Sequence, residues 1–146
     1  MKRIQRAKDK EEIIKLLMDE KIGLFKEIWK LMLFSAMVGY KNNYREPLVS
    51  SDPGKGIDQS TFGNSPAWPG LLYLLSLAEY KSTDYLSGTS SADDARISLF
   101  QEYANGGLKI ISNFFSDRNI DLDGIIAFID SQRTNYAEKP DLDLMI

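Results

Sequence analysis

The chain has 146 residues, 43% hydrophobic and 27% charged, a size and balance that fit one soluble globular domain. It contains neither cysteine nor histidine, which excludes disulfides, zinc sites built on thiolate or imidazole, and Ser-His or Cys-His nucleophile pairs. The net charge of −3 is unevenly divided: residues 1–55 hold 12 Lys/Arg against 8 Asp/Glu, and residues 56–146 hold 6 against 13. A basic half on an acidic protein predicts a directional electrostatic surface, although merely solvated helix faces fit the same composition.

The opening residues 1–8 read as a basic arm or short strand. Lys2, Arg3, Arg6, Lys8 and Lys10 face a single acid, Asp9, within the first ten positions. That density suits phosphate contact; a solubilising, frayed terminus is the plain alternative. No apolar core of signal-peptide length follows these cations, so a cytoplasmic protein is expected. The most apolar stretch, Leu31 to Val38, is too short to span a membrane. Asp9 and Glu12 form a capping box for a helix that buries Ile13, Ile14, Leu16 and Leu17 and turns Lys10, Glu11, Lys15 and Asp19 outward. A second helix is predicted from about Leu24 to Val38, apolar at Phe25, Ile28, Trp29, Met32, Leu33, Ala36 and Met37, with Gly39 as its C-cap. Because that helix is apolar nearly all round, it should be central, and a second copy of the chain is expected to help cover it.

Residues 40–66 are polar, rich in Gly, Ser, Asn and Asp, and broken by Pro47, Pro53 and Pro66. They read as one long irregular loop, a feature compact domains usually keep for function. A third helix runs from Pro69 to Lys81, with Leu71, Leu72, Leu74, Leu75 and Ala78 as its core face. After a loop from Ser82 to Ser91, an N-cap signature opens a fourth helix through Ile97, Leu99, Phe100, Tyr103 and Ala104, which reaches Gly106-Gly107 and resumes through Leu108 to Phe114. Asp121 or Asp123 starts the last helix, and residues 133–146 form a polar tail that ends in Leu142, Leu144, Met145 and Ile146. The expected architecture is all-α: a compact bundle of five to six helices in one domain, 1–146.

Three patterns invite catalytic readings, and each has a plainer one. Pro53-Gly54-Lys55-Gly56 lacks the glycine spacing and Ser/Thr of a phosphate loop and reads as a turn. Glu79-Tyr80-Lys81 has the acid-x-lysine form used by some metal-dependent nucleases, but it closes a leucine-rich helix. Asp117, Asp121 and Asp123 lack the glycine and closing glutamate of a calcium loop and read as helix caps. Trp29 and Trp68 have the chemistry to stack on bases, but at helical spacing they read as core. No metal, no cofactor and no catalytic residue is expected.

The segment Leu99-Phe100-Gln101-Glu102-Tyr103-Ala104-Asn105-Gly106-Gly107-Leu108-Lys109-Ile110 resembles the FEEYANGGL signature of the DNA phosphorothioation-associated protein 4 family, also called Dnd system-associated protein 4. The basic start Arg3 to Lys10, the run Phe34 to Lys41 and the Leu74 to Lys81 helix resemble that family's order of parts, with Gln101 standing where the signature has an acid. The resemblance implies a part in bacterial DNA phosphorothioation or its linked restriction, as phage defence, with other proteins of the system as partners. Together these readings give a non-enzymatic accessory protein, expected to contact double-stranded DNA through Lys2, Arg3, Arg6, Lys8, Lys10, Lys41 and Arg45, with Lys55 a further loop cation. A structural role is expected for Glu102, Tyr103, Asn105, Gly106 and Gly107: the paired glycines let the helix bend or another backbone approach, and Glu102 and Tyr103 make a polar contact there. The competing readings are a protein–protein adaptor that never touches DNA and, third, a metal-dependent nuclease built on Glu79.

Overall fold

The computed structural model describes residues 2–63 and 67–137. Its helices are α1 (Glu11–Leu17), α2 (Ile28–Lys41), α3 (Ala67–Tyr80), α4 (Ser90–Phe114) and α5 (Leu122–Ala137), joined in places by single turns of 3-10 helix. Among the described residues there is no strand, only two isolated antiparallel bridges, Ile4 with Ile57 and Ala7 with Ser51. The fold is all-α, as the periodicity predicts. The tip of the expected tail, Leu142 to Ile146, lies outside the described residues.

The centre is α4 rather than α2. Its 25 residues run unbroken through Gly106-Gly107, so the predicted interruption is absent. Both glycines serve close approach instead: a Cβ on Gly107 would lie 1.7 Å from the Ser35 carbonyl oxygen of α2, and one on Gly106 would lie 2.3 Å from the Tyr44 carbonyl oxygen. Gly39 answers from the other side, where a Cβ would meet the Tyr103 carbonyl oxygen at 2.1 Å. Gly39 is therefore not the expected C-cap. The helix continues to Lys41, Asn42 caps it through a side-chain hydrogen bond to the Val38 carbonyl (2.8 Å), and Asn43 then takes the left-handed turn at φ 50°. At its start α2 opens at Ile28 rather than Leu24, behind Glu27, whose carboxylate accepts the Trp29 indole N–H.

Most of the apolar stripe on α2 is covered from within the chain. Leu31, Met32, Ala36 and Val38 are buried, Phe34 meets Phe128 of α5 edge-on at 6.2 Å, and Trp29 meets Phe62 at 6.3 Å. Phe62 in turn stacks on Trp68 at 4.0 Å, and Phe100 packs edge-on against that stack. Trp29 is partly buried against the core and Trp68 is buried within it.

The N-terminal segment is part of this core. Ile4 is completely buried and exchanges backbone hydrogen bonds of 2.8 Å with Ile57, and Ala7 is buried beside it. Burying a side chain of that size stabilises the fold by about 1.5–3 kcal/mol, enough to hold the segment against the bundle. It therefore lies down along residues 50–58 instead of projecting as an arm. The 40–63 stretch is stitched in likewise, with Ile57 and Phe62 buried and two 3-10 turns, Pro53–Lys55 and Gln59–Phe62. The first helix also differs from its capping-box expectation: a 3-10 turn over Lys8–Lys10 leads into α1 with no side-chain cap.

Candidate functional site

Beneath the glycine contact the signature residues form a polar knot. The Asn105 amide donates to the Glu46 carbonyl (3.0 Å), and the Glu46 N–H returns to the Glu102 carbonyl (3.0 Å). The Tyr103 hydroxyl donates to Glu79 at 2.6 Å, and Arg45 pairs with Glu79 at 3.3 Å and more loosely with Glu102 at 3.9 Å. Gln101, in the signature's acid position, is buried and accepts the Gln5 N–H at 2.6 Å, a task its amide oxygen performs as a carboxylate would. The knot thus ties α4 to the N-terminal segment, the 44–47 turn and α3.

Burial, then the hydrogen bond to the Glu79 carboxylate, pushes the Tyr103 phenol well above its ordinary range. A phenol raised in the folded state contributes stability that is whole below the unfolded value of about 10 and is lost as pH rises beyond it. Tyr103→Phe should therefore unfold more easily than the wild type by about 1–2 kcal/mol at neutral pH. Urea titrations repeated at rising pH should show that gap narrowing above about pH 10, where the unfolded phenol begins to ionise.

The structure divides the expected DNA-contacting cations sharply. Lys10 is only 4% exposed and pairs with Glu46 (3.1 Å) and Asp9 (3.3 Å), so it is a core ion rather than a surface one. Arg45 is held by its two carboxylates, and Lys41 donates to the Gln132 carbonyl of α5. Lys2 donates to the Ser98 hydroxyl at 2.7 Å. Arg3 clamps the loop, pairing with Asp58 at 2.9 Å and donating to the Gly56 and Pro53 carbonyls. Lys8 is exposed and makes no ion pair among the described residues.

Arg6 and Lys55 are brought together by the return of the 50–58 stretch beside the N-terminal segment. Both pair with the same carboxylate, Glu11, at 2.8 and 3.3 Å. With Lys15 they line a surface groove of about 380 Å³, walled by Arg6, Glu11, Lys15 and Lys55 over Ile14, Met18 and Ile28. Lys15 makes no ion pair among the described residues, and in the sequence it is no more than an outward-turned helix residue. The lining therefore carries three cations against one carboxylate, a positive site on a protein of net charge −3.

The other candidates resolve into structural roles. Asp52 accepts the Gly54 N–H at 3.0 Å, so its own carboxylate takes a backbone donor of the glycine turn that a phosphate loop would offer to its ligand. Asp121 caps α5 by accepting the Gly124 N–H at 2.7 Å. Among the described residues no group of three or more acidic side chains is placed to hold a metal ion. None of the described helices is long and apolar enough to cross a membrane.

Residues 3–145 match the family described as DNA sulphur modification system-associated protein 4. No curated protein and no solved structure gives a significant match to the chain.

Proposed function

The chain belongs to the DNA sulphur modification system-associated protein 4 family, and from that premise we propose that it is a non-enzymatic accessory protein that contacts the DNA backbone through the groove of Arg6, Lys15 and Lys55. The observation that carries this reading is the charge of the groove. Two cations share Glu11, Lys15 adds a third, and the exposed Lys8 follows directly on the segment that supplies Arg6. Phosphate oxygens are acceptors only, so a row of ammonium and guanidinium donors suits them without reading bases. Relative to the cations named from sequence, the contact surface keeps Lys8 and the two cations that share Glu11, Arg6 and Lys55, and gains Lys15; Lys2, Arg3, Lys10, Lys41 and Arg45 are engaged by partners elsewhere in the fold.

A gel-shift titration with plain and phosphorothioated duplexes, without added metal, tests this. The wild type should shift duplexes of unrelated sequence alike. Lys15→Glu combined with Lys55→Glu should abolish the shift, while Arg133→Glu, 80% exposed on α5 and not part of the groove, should leave it intact. A double variant that shifts DNA like the wild type would remove the groove from consideration. In a parallel incubation with magnesium, cutting of the duplex that is lost in Glu79→Ala would instead install the nuclease reading.

The adaptor reading within the same system keeps one observation in its favour, a wholly uncharged exposed face on α3.

A further inference from the structure

We propose that this outer face of α3 joins two copies of the chain, antiparallel, about a two-fold axis. The inference is independent of the DNA reading. From Ala67 to Ala78 the helix carries no charged side chain. Its inner side buries Trp68, Leu72, Leu75 and Ser76, and Glu79 is engaged by Tyr103 and Arg45. On the outer side Gly70, Leu74 and Leu77 fall at i, i+4 and i+7, one stripe along the helix, flanked by Tyr73. Leu74 is 67% exposed, Leu77 40% and Tyr73 38%, and a Cβ on Gly70 would meet nothing within 4 Å. Contiguous exposed apolar surface of this kind marks a protein contact.

A second copy suits the face for two reasons. Copies of an acidic chain would repel through most of their surface, but this stripe carries no charged side chain of its own, and the Arg96 guanidinium over the Tyr73 ring is 5% exposed and paired with Asp93. The pattern is also self-complementary. With the axis level with Leu72, Leu74 of each copy lies over the open space at Gly70 of the other, and Leu77 lies over the other's first helical turn. An isologous interface requires such large-to-small matching with itself. The other exposed stripe, Leu122, Ile126 and Ile129 on α5, is less suited, because Asp123 and Asp130 flank it and would put carboxylates of both copies along the seam. The expected self-association of the chain is thus moved from α2, largely covered internally, to α3. One helix face makes a small interface, so the dimer should be of about micromolar strength.

Light scattering and sedimentation of the full chain across a micromolar concentration series test it. The mass should rise from 16.6 kDa toward twice that value. Leu74→Asp should stay at 16.6 kDa with unchanged helix content, since its side chain is mostly in solvent, and Ile126→Asp should dimerise as the wild type does. The chain has no cysteine, so Tyr73→Cys offers a clean trap. In the antiparallel seam residue 73 and its copy are offset by about 3 Å along the axis, within disulfide reach, and mild oxidation should link the copies. A wild type that stays monomeric throughout would overturn the proposal, as would a Leu74→Asp protein that dimerises unchanged. Dissociation by Ile126→Asp alone would place the seam on α5, and a dimer in which Tyr73→Cys fails to link would refute the antiparallel arrangement.

Discussion

Gly107→Ala should leave the chain unable to reach its native fold. The new methyl would sit 1.7 Å from the Ser35 carbonyl oxygen, and the Gly39 N–H lies 3.1 Å away, so both obstacles are backbone of α2. A side chain tip can rotate out of such a contact; a helix carbonyl cannot. Relief requires α2 and α4 to separate along the contact that buries Leu31, Met32, Ala36, Ala104 and Leu108 together. Ordinary overpacking costs about 1–3 kcal/mol, and a backbone clash at the centre exceeds that range, against a total stability of about 5–15 kcal/mol. Circular dichroism and urea unfolding of Gly107→Ala should show loss of the cooperative transition. Gly88→Ala, with nothing within 4 Å of its added Cβ, should behave as the wild type. A normally cooperative Gly107→Ala would mean the helices are not in backbone contact.

Glu46→Ala should be the most damaging surface-side substitution. The Lys10 side chain is 4% exposed in the wild type, and without Glu46 only Asp9, itself 64% exposed, answers its ammonium. Removing one partner of a buried pair typically destabilises by about 3–5 kcal/mol, and the remaining Asp9 contact places this case near the lower end. Lys10→Met should be much milder, because it withdraws the buried charge and keeps the packing of the stem, while Glu46 retains solvent and the Tyr44 hydroxyl at 3.2 Å. Urea midpoints of the two variants check the asymmetry. Equal losses would show that the ammonium is hydrated rather than held by Glu46.

These expectations turn on features that the sequence only partly displays. Helical periodicity exposes the helices themselves, because the facing stripes of α2, α3, α4 and α5 repeat locally every three or four residues. The ends are less legible. Gly39 follows an apolar run and has the form of a stop signal, yet its missing side chain is required by α4, which lies some sixty residues on in the chain. The signature glycines suggest close approach, but nothing in their neighbourhood names Ser35 or Tyr44 as the opposing backbone. The N-terminal segment is harder still. Ile4 is one apolar residue among cations, and its burial depends on Ile57, whose loop shows no period at all. Lys10 therefore passes for a surface cation until the fold sets it against Glu46, 36 positions away. Lys15 passes for ordinary helix surface until the returning loop brings Lys55 beside Arg6. Local pattern carries secondary structure; pairings between distant segments decide which charges remain available for a partner.

The claim that the groove meets DNA phosphates is tested most directly by its salt dependence. Each phosphate contact contributes about 0.9 to the slope of log affinity against log salt, so the three cations together account for about 2.7. Fluorescence anisotropy on one duplex across a salt series should give a steep slope for the wild type. Arg6→Gln, Lys15→Gln and Lys55→Gln combined should lower that slope by about 2–3 units with helix content and a cooperative unfolding transition retained. An unaltered slope in a folded triple variant would contradict the account and place any DNA contact elsewhere on the molecule.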